Sequence, residues 1–128
     1  MDSYATVRNA LHSMLAQPED AGAFVIIEDA ASQKFVQFVG SIHRPLLLDL
    51  PVQALSEAEF YRAVAFFKRD GVVGQEYEML DAPGGRPVSE QFTFQLQLES
   101  VSAAIEVVHA LFLEVYRLSD CRFHVTTD

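Results

Sequence analysis

The chain has 128 residues, half of them hydrophobic and ten of them Phe, enough apolar material for a single domain that buries roughly two-thirds of its unfolded surface. Such a composition excludes a disordered protein. Its 18 acidic and 9 basic residues give a net charge of −9, which repels phosphate backbones and argues against nucleic acid or anionic lipid as partners.

One domain over residues 1–128 without a linker is expected, with basic or apolar polypeptides as fitting partners. Cys121 is the single cysteine, so no intrachain disulfide forms. The opening MDSYATVRNALHS has neither the basic n-region nor the apolar h-region of a secretory signal. A reducing, cytoplasmic setting is expected. No apolar run approaches the ~20 residues that span a bilayer, so membrane insertion is not expected.

From about Ser3 to Ala16 the spacing predicts an amphipathic helix, with Tyr4, Val7, Leu11 and Met14 or Leu15 on one face and Asp2 or Ser3 as cap. Pro18, Glu19, Asp20 and Gly22 break the pattern. FVIIEDAASQKFVQFVG, Phe24 to Gly40, reads as two short strands joined by a polar turn. Both alternating faces of Phe24 to Ile27, and much of Phe35 to Val39, are apolar. Helices are therefore expected over one face and something else, such as another subunit, over the other. Leu46 to Leu50, between Pro45 and Pro51, is a third strand.

The second helix carries the strongest local signal. Ser56 and Glu59 form a capping box, in which each side chain satisfies a backbone N–H left free by the first turn. Leu55 and Phe60 sit at the positions of a hydrophobic staple, Lys68 and Arg69 suit the negative end of the helix dipole, and Gly71 is the stop. Phe60, Ala63, Val64 and Phe67 form the expected buried stripe, with Tyr61 and Phe66 projecting to either side.

Val72 to Leu80 suits an extended segment, and Asp81 to Pro87 (DAPGGRP) is a dense turn signal that reads as a hairpin loop. Phe92, Phe94, Leu96 and Leu98 then alternate with Thr93, Gln95 and Gln97, giving one buried face and one polar, uncharged face. Ser100 or Ser102 caps a last helix with the stripe Val101, Ala104, Ile105, Val108, Leu111, Phe112 and Val115. Leu113 falls on its polar side. Cys121, Phe123 and Val125 alternate with Arg122, His124 and Thr126, so the tail adds a short strand or docks as an extended segment. The whole reads as an α+β domain of order α-β-β-β-α-β-β-α, with helices on one face of an antiparallel sheet.

No residue set points to catalysis. His12, His43, His109 and His124 lack metal-ligand spacing, and the three-residue step from Cys121 to His124 puts them on opposite faces of a strand. Glu28, Asp29 and Asp49 sit at strand and turn ends, where carboxylates serve as polar caps. Gly84 and Gly85 lie between prolines with no helix following, which excludes a phosphate loop. No catalytic, cofactor or metal site is expected. The candidate contact residues are Tyr61, Phe66 and Leu113, as dimer or client contacts, and Thr93, Gln95 and Gln97, whose amide and hydroxyl groups suit an extended peptide or a twofold mate.

The FVIIED, KFVQFVG and LLLDLP strands and the LSEAEF helix start, within Phe24 to Phe67, resemble the type III secretion chaperone and YbjN-like group, also called TY-Chap domains. The small size, acidic character and element order are similar to those of class I secretion chaperones. The resemblance implies a bacterial homodimer that binds an extended, largely unfolded client or effector segment, with no enzymatic activity and no cofactor. Two other readings stay open: an acidic inhibitor or immunity protein for a folded partner, and a small ligand-binding domain using a groove between sheet and helices.

Overall fold

A computed structural model describes residues 4–18, 21–69, 75–80 and 87–127. The elements run α1 (Ala5–Leu15), β1 (Phe24–Asp29), β2 (Phe35–Val39), β3 (Leu46–Pro51), a 3-10 turn (Val52–Ala54), α2 (Glu57–Lys68), β4 (Gln75–Leu80), β5 (Pro87–Leu98), α3 (Val101–Glu114) and β6 (Phe123–Thr127). All strand pairs are antiparallel, in the order β4-β5-β3-β2-β1-β6. The domain is therefore α+β with an antiparallel sheet.

Burial alternates along β1, β2 and β3, and the alternation decides the layering. Val25, Ile27, Val36, Phe38, Leu46, Leu48, Leu50 and Phe94 are buried and join Val7, Leu11 and Met14 of α1, Ala63, Phe66 and Phe67 of α2, and Val108, Leu111 and Phe112 of α3 in one core. Helices thus cover one face of the sheet, because strand side chains alternate between faces. The expected caps at Asp2 and Ser3 lie outside the described residues, and the helix takes Tyr4 as N-cap without a side-chain bond.

Two turns fix the frame. The Asp29 carboxylate accepts from the Ser32 amide at 3.0 Å and the Ser32 hydroxyl at 2.7 Å, while Gln33 takes a φ of 64° to close the β1–β2 hairpin. Asp29 also accepts from the Arg122 amide at 3.3 Å, so one buried carboxylate ties the hairpin to the start of β6. At the start of α2, Ser56 Oγ accepts from the Glu59 amide at 3.2 Å and Glu59 Oε1 accepts from the Ser56 amide at 2.8 Å. Ser100 caps α3, accepting from the Ala103 amide at 3.0 Å.

Two expectations about burial are corrected. Phe66, expected to project from the stripe, is only 6% exposed, whereas Val64, expected within it, is exposed. The cause is long-range: α2 packs against α3 as well as the sheet, so Phe67 turns to β5 and Phe66 lines the seam with Leu113 and Glu114. Thr93, placed by alternation on an open polar face, is 3% exposed, sits opposite Pro51 and donates its hydroxyl to Asp49. Gly71, residues 72–74 and the Asp81 to Arg86 part of the expected turn lie outside the described residues; Pro87 opens β5.

Candidate functional site

The sheet face turned away from the helices carries side chains that the core does not use. Register places its residues in rows across the strands. One row runs Thr126, Ile26, Gln37, Asp49, Gln95; the next runs Phe24, Val39, Leu47, Gln97; a third runs His124, Glu28, Phe35. Phe24, Ile26, Phe35, Val39 and Leu47 are half-buried, and none of them packs against the core cluster. Strands lie about 4.8 Å apart, so Phe24, Val39 and Leu47 make a contiguous apolar strip at one end, flanked by the amides of Gln37, Gln95 and Gln97.

At that end the face dips into a depression of about 380 Å³, lined by Ala23, Val39, Ser41, Arg44, Pro45 and Leu47 among others. Gly40 lies at its edge, where the backbone passes so close to the β2–β3 connection that a Cβ would sit 3.0 Å from the Pro45 carbonyl oxygen. The Ser41 hydroxyl is buried and has no hydrogen-bond partner among the described residues.

A second opening, about 490 Å³, lies on the helix layer between α2 and the end of α3. Arg62 donates from Nε to the Val115 carbonyl at 2.8 Å, and Arg69 pairs with Glu114 at 3.0 Å while its guanidinium lies 4.9 Å from the centre of the Phe66 ring. Arg117 follows α3 at a φ of 60°. Tyr61 is 64% exposed and Leu113 is 45% exposed on this layer.

The six expected contact residues therefore do not form one surface. Tyr61 and Leu113 are exposed on the helix layer, Gln95 and Gln97 lie on the helix-free face, and Phe66 and Thr93 are built into the fold. Sequence reasoning left out Phe24, Ile26, Val39 and Leu47. Their signal was the doubly apolar pattern of the first two strands, which marks a second apolar face without saying which residues compose it.

Asp29, Glu59 and Tyr116 perform structural tasks. Hydrogen bonds from Ser32 hold the Asp29 carboxyl below its ordinary value, outweighing the effect of burial, with the Arg122 amide assisting. Burial raises the Glu59 carboxyl, but the Ser56 amide and Lys34, whose Nζ lies 3.0 Å away, more than offset it and hold it low. Tyr116 is driven far above its ordinary value by burial and then by the Glu59 charge, and it donates its hydroxyl to the Phe35 carbonyl. Burial and the charges of Asp29 and Asp120 push the Cys121 thiol up.

Glu28 and Asp29 point to opposite sheet faces, and Asp49 is engaged by Thr93, so the three carboxylates form no pair suited to acid–base work. Among the described residues no three His, Cys, Asp or Glu side chains gather as a metal site, and no helix is long and apolar enough to cross a membrane. What the helix-free face can do chemically is present apolar contacts and amide hydrogen bonds to an extended chain. No family model, curated protein or solved structure matches the chain.

Proposed function

We propose that this protein is a non-enzymatic, chaperone-like binder of extended polypeptide segments, of the kind implied by its resemblance to secretion chaperones and YbjN-like domains. The observation that carries the reading is the helix-free sheet face: Phe24, Ile26, Phe35, Val39 and Leu47 lie outside the core, beside Gln37, Gln95 and Gln97. An unfolded segment offers side chains at a two-residue period and unpaired backbone groups, which this mixture of apolar strip and amide row accommodates. The net charge of −9 favours basic clients and keeps polyanions away.

Two copies pair through the helix layer, where Tyr61, Val64 and Leu113 are exposed apolar side chains. That leaves the sheet face of each copy free for its client. The test is fluorescence anisotropy with a reduced, carboxymethylated and hence permanently unfolded polypeptide, compared with the same polypeptide in its folded, disulfide-bonded form. The reading expects micromolar or tighter binding of the unfolded form only. Binding of only the folded form would transfer the function to the inhibitor class.

A further inference from the structure

We propose that the depression at the end of the helix-free face is a binding pocket for an aliphatic carboxylate. On the reading above, its source is the C-terminal residue of a client segment.

Three observations converge on this corner. The walls contributed by Ala23, Val39, Pro45 and Leu47 are apolar, and the volume of about 380 Å³ falls in the range of small-ligand sites. Ser41, only 6% exposed, lines the same depression, and its hydroxyl has no hydrogen-bond partner among the described residues. A buried hydroxyl without a partner is unfavourable in the empty protein and becomes a ready donor for an acceptor that enters. Arg44 is exposed on the same lining, and its guanidinium makes no ion pair or hydrogen bond with any described residue.

The loop holds the backbones of the two residues together. Ser41 and Arg44 exchange backbone hydrogen bonds of 3.3 Å in both directions, and the Ile42 amide donates to the Gln17 carbonyl at 2.9 Å. A hydroxyl and a guanidinium carried by one loop beside apolar walls are complementary to a carboxylate attached to an aliphatic body. In a chain of net charge −9 long-range attraction for anions is absent. Recognition then depends on short-range bonds, which favours one carboxylate over a polyanion.

The experiment is amide NMR on the full chain titrated to 2 mM with three probes: acetyl-Ala-Ala-Ala-Leu as the free acid, the same peptide as its C-terminal amide, and sodium octanoate. The free acid is expected to shift the amides of Gly40, Ser41 and Arg44, with binding at least fivefold weaker for the C-terminal amide and for Arg44→Gln. Ser41→Ala is expected to weaken binding about threefold while raising the melting temperature, because it removes the unpaired hydroxyl.

A merely structural Ser41 would not show those opposite signs. Octanoate binding at the same amides without binding of the peptide acid supports the pocket and overturns its client source. Equal binding of acid and amide, shifts confined to other residues, or no shift with either carboxylate overturns the pocket itself. None of these outcomes depends on whether an unfolded polypeptide binds the rest of the face.

Discussion

Phe67 of α2 and Phe94 of β5 stack with ring centroids 4.9 Å apart and planes inclined by 8°. This contact locks the second helix to the sheet strand that also carries Gln95 and Gln97, so the helix layer and the helix-free face share a common support. Phe66 meets Phe67 edge-on at 5.1 Å and lies under the Arg69 guanidinium, which extends the aromatic cluster toward α3.

Both rings are therefore fold residues. Phe67→Ala should destabilise the domain by about 3–5 kcal/mol, the usual range for a large-to-small change in a closed core. Phe66→Ala should cost about 3 kcal/mol for the same reason. Urea unfolding of the two variants checks this; a loss confined to Phe67→Ala would mean that Phe66 belongs to an association surface instead.

Tyr61 and Leu113 have the opposite character. The double variant Tyr61→Glu, Leu113→Glu should change folding stability by less than about 1 kcal/mol, since neither side chain is buried. Size exclusion with light scattering should find a wild-type dimer and a folded monomeric variant. A wild-type monomer would remove the helix layer from the assembly.

The pH dependence follows from Asp29 and Glu59, whose carboxyls are both held low in the folded protein. Their contribution to stability is complete above the ordinary carboxylate values, 3.8 for Asp29 and 4.5 for Glu59, and is lost as pH falls through the lower folded values. Stability should therefore drop below about pH 4.5, and Asp29→Asn should flatten that drop. Chemical denaturation between pH 7 and pH 3 measures it; an unchanged slope in the variant would show that Asp29 is not a stabilising acceptor.

The β2–β3 corner makes a steric prediction. At Gly40 a Cβ would lie 3.0 Å from the Pro45 carbonyl oxygen and 3.1 Å from Leu15 Cδ2, and the first of these is backbone that cannot rotate away. Gly40→Ala should destabilise by about 1–3 kcal/mol, as overpacking does. A thermal melt unchanged from wild type would show that the connection yields freely.

What the sequence made legible is what local physics decides. The Ser56–Glu59 capping box, a serine cap narrowed to Ser100 or Ser102 and the alternating faces of β1 to β3 were readable because each depends on residues a few positions apart. Phe66 and Thr93 were misjudged because their burial depends on distant chain: the end of α3 over Phe66, and the Asp49 acceptor for Thr93. The pairing of β1 with β6 brings residues 25–29 beside 123–127, a relationship that no local pattern encodes. Likewise, the strip of Phe24, Val39 and Leu47 exists only through the cross-strand register, although the apolar pattern of the first two strands announced a second face.

The most direct test places the polypeptide on that face. Ile26 lies on it, outside the core, with Gln37 and Thr126 as its cross-strand neighbours. Anisotropy with the permanently unfolded polypeptide should give micromolar or tighter binding for the wild type and about tenfold weaker binding for Ile26→Lys, with the variant still cooperatively folded by circular dichroism. Equal affinity for the folded variant, or no binding by the wild type, would contradict the assignment of the helix-free sheet face as the client surface.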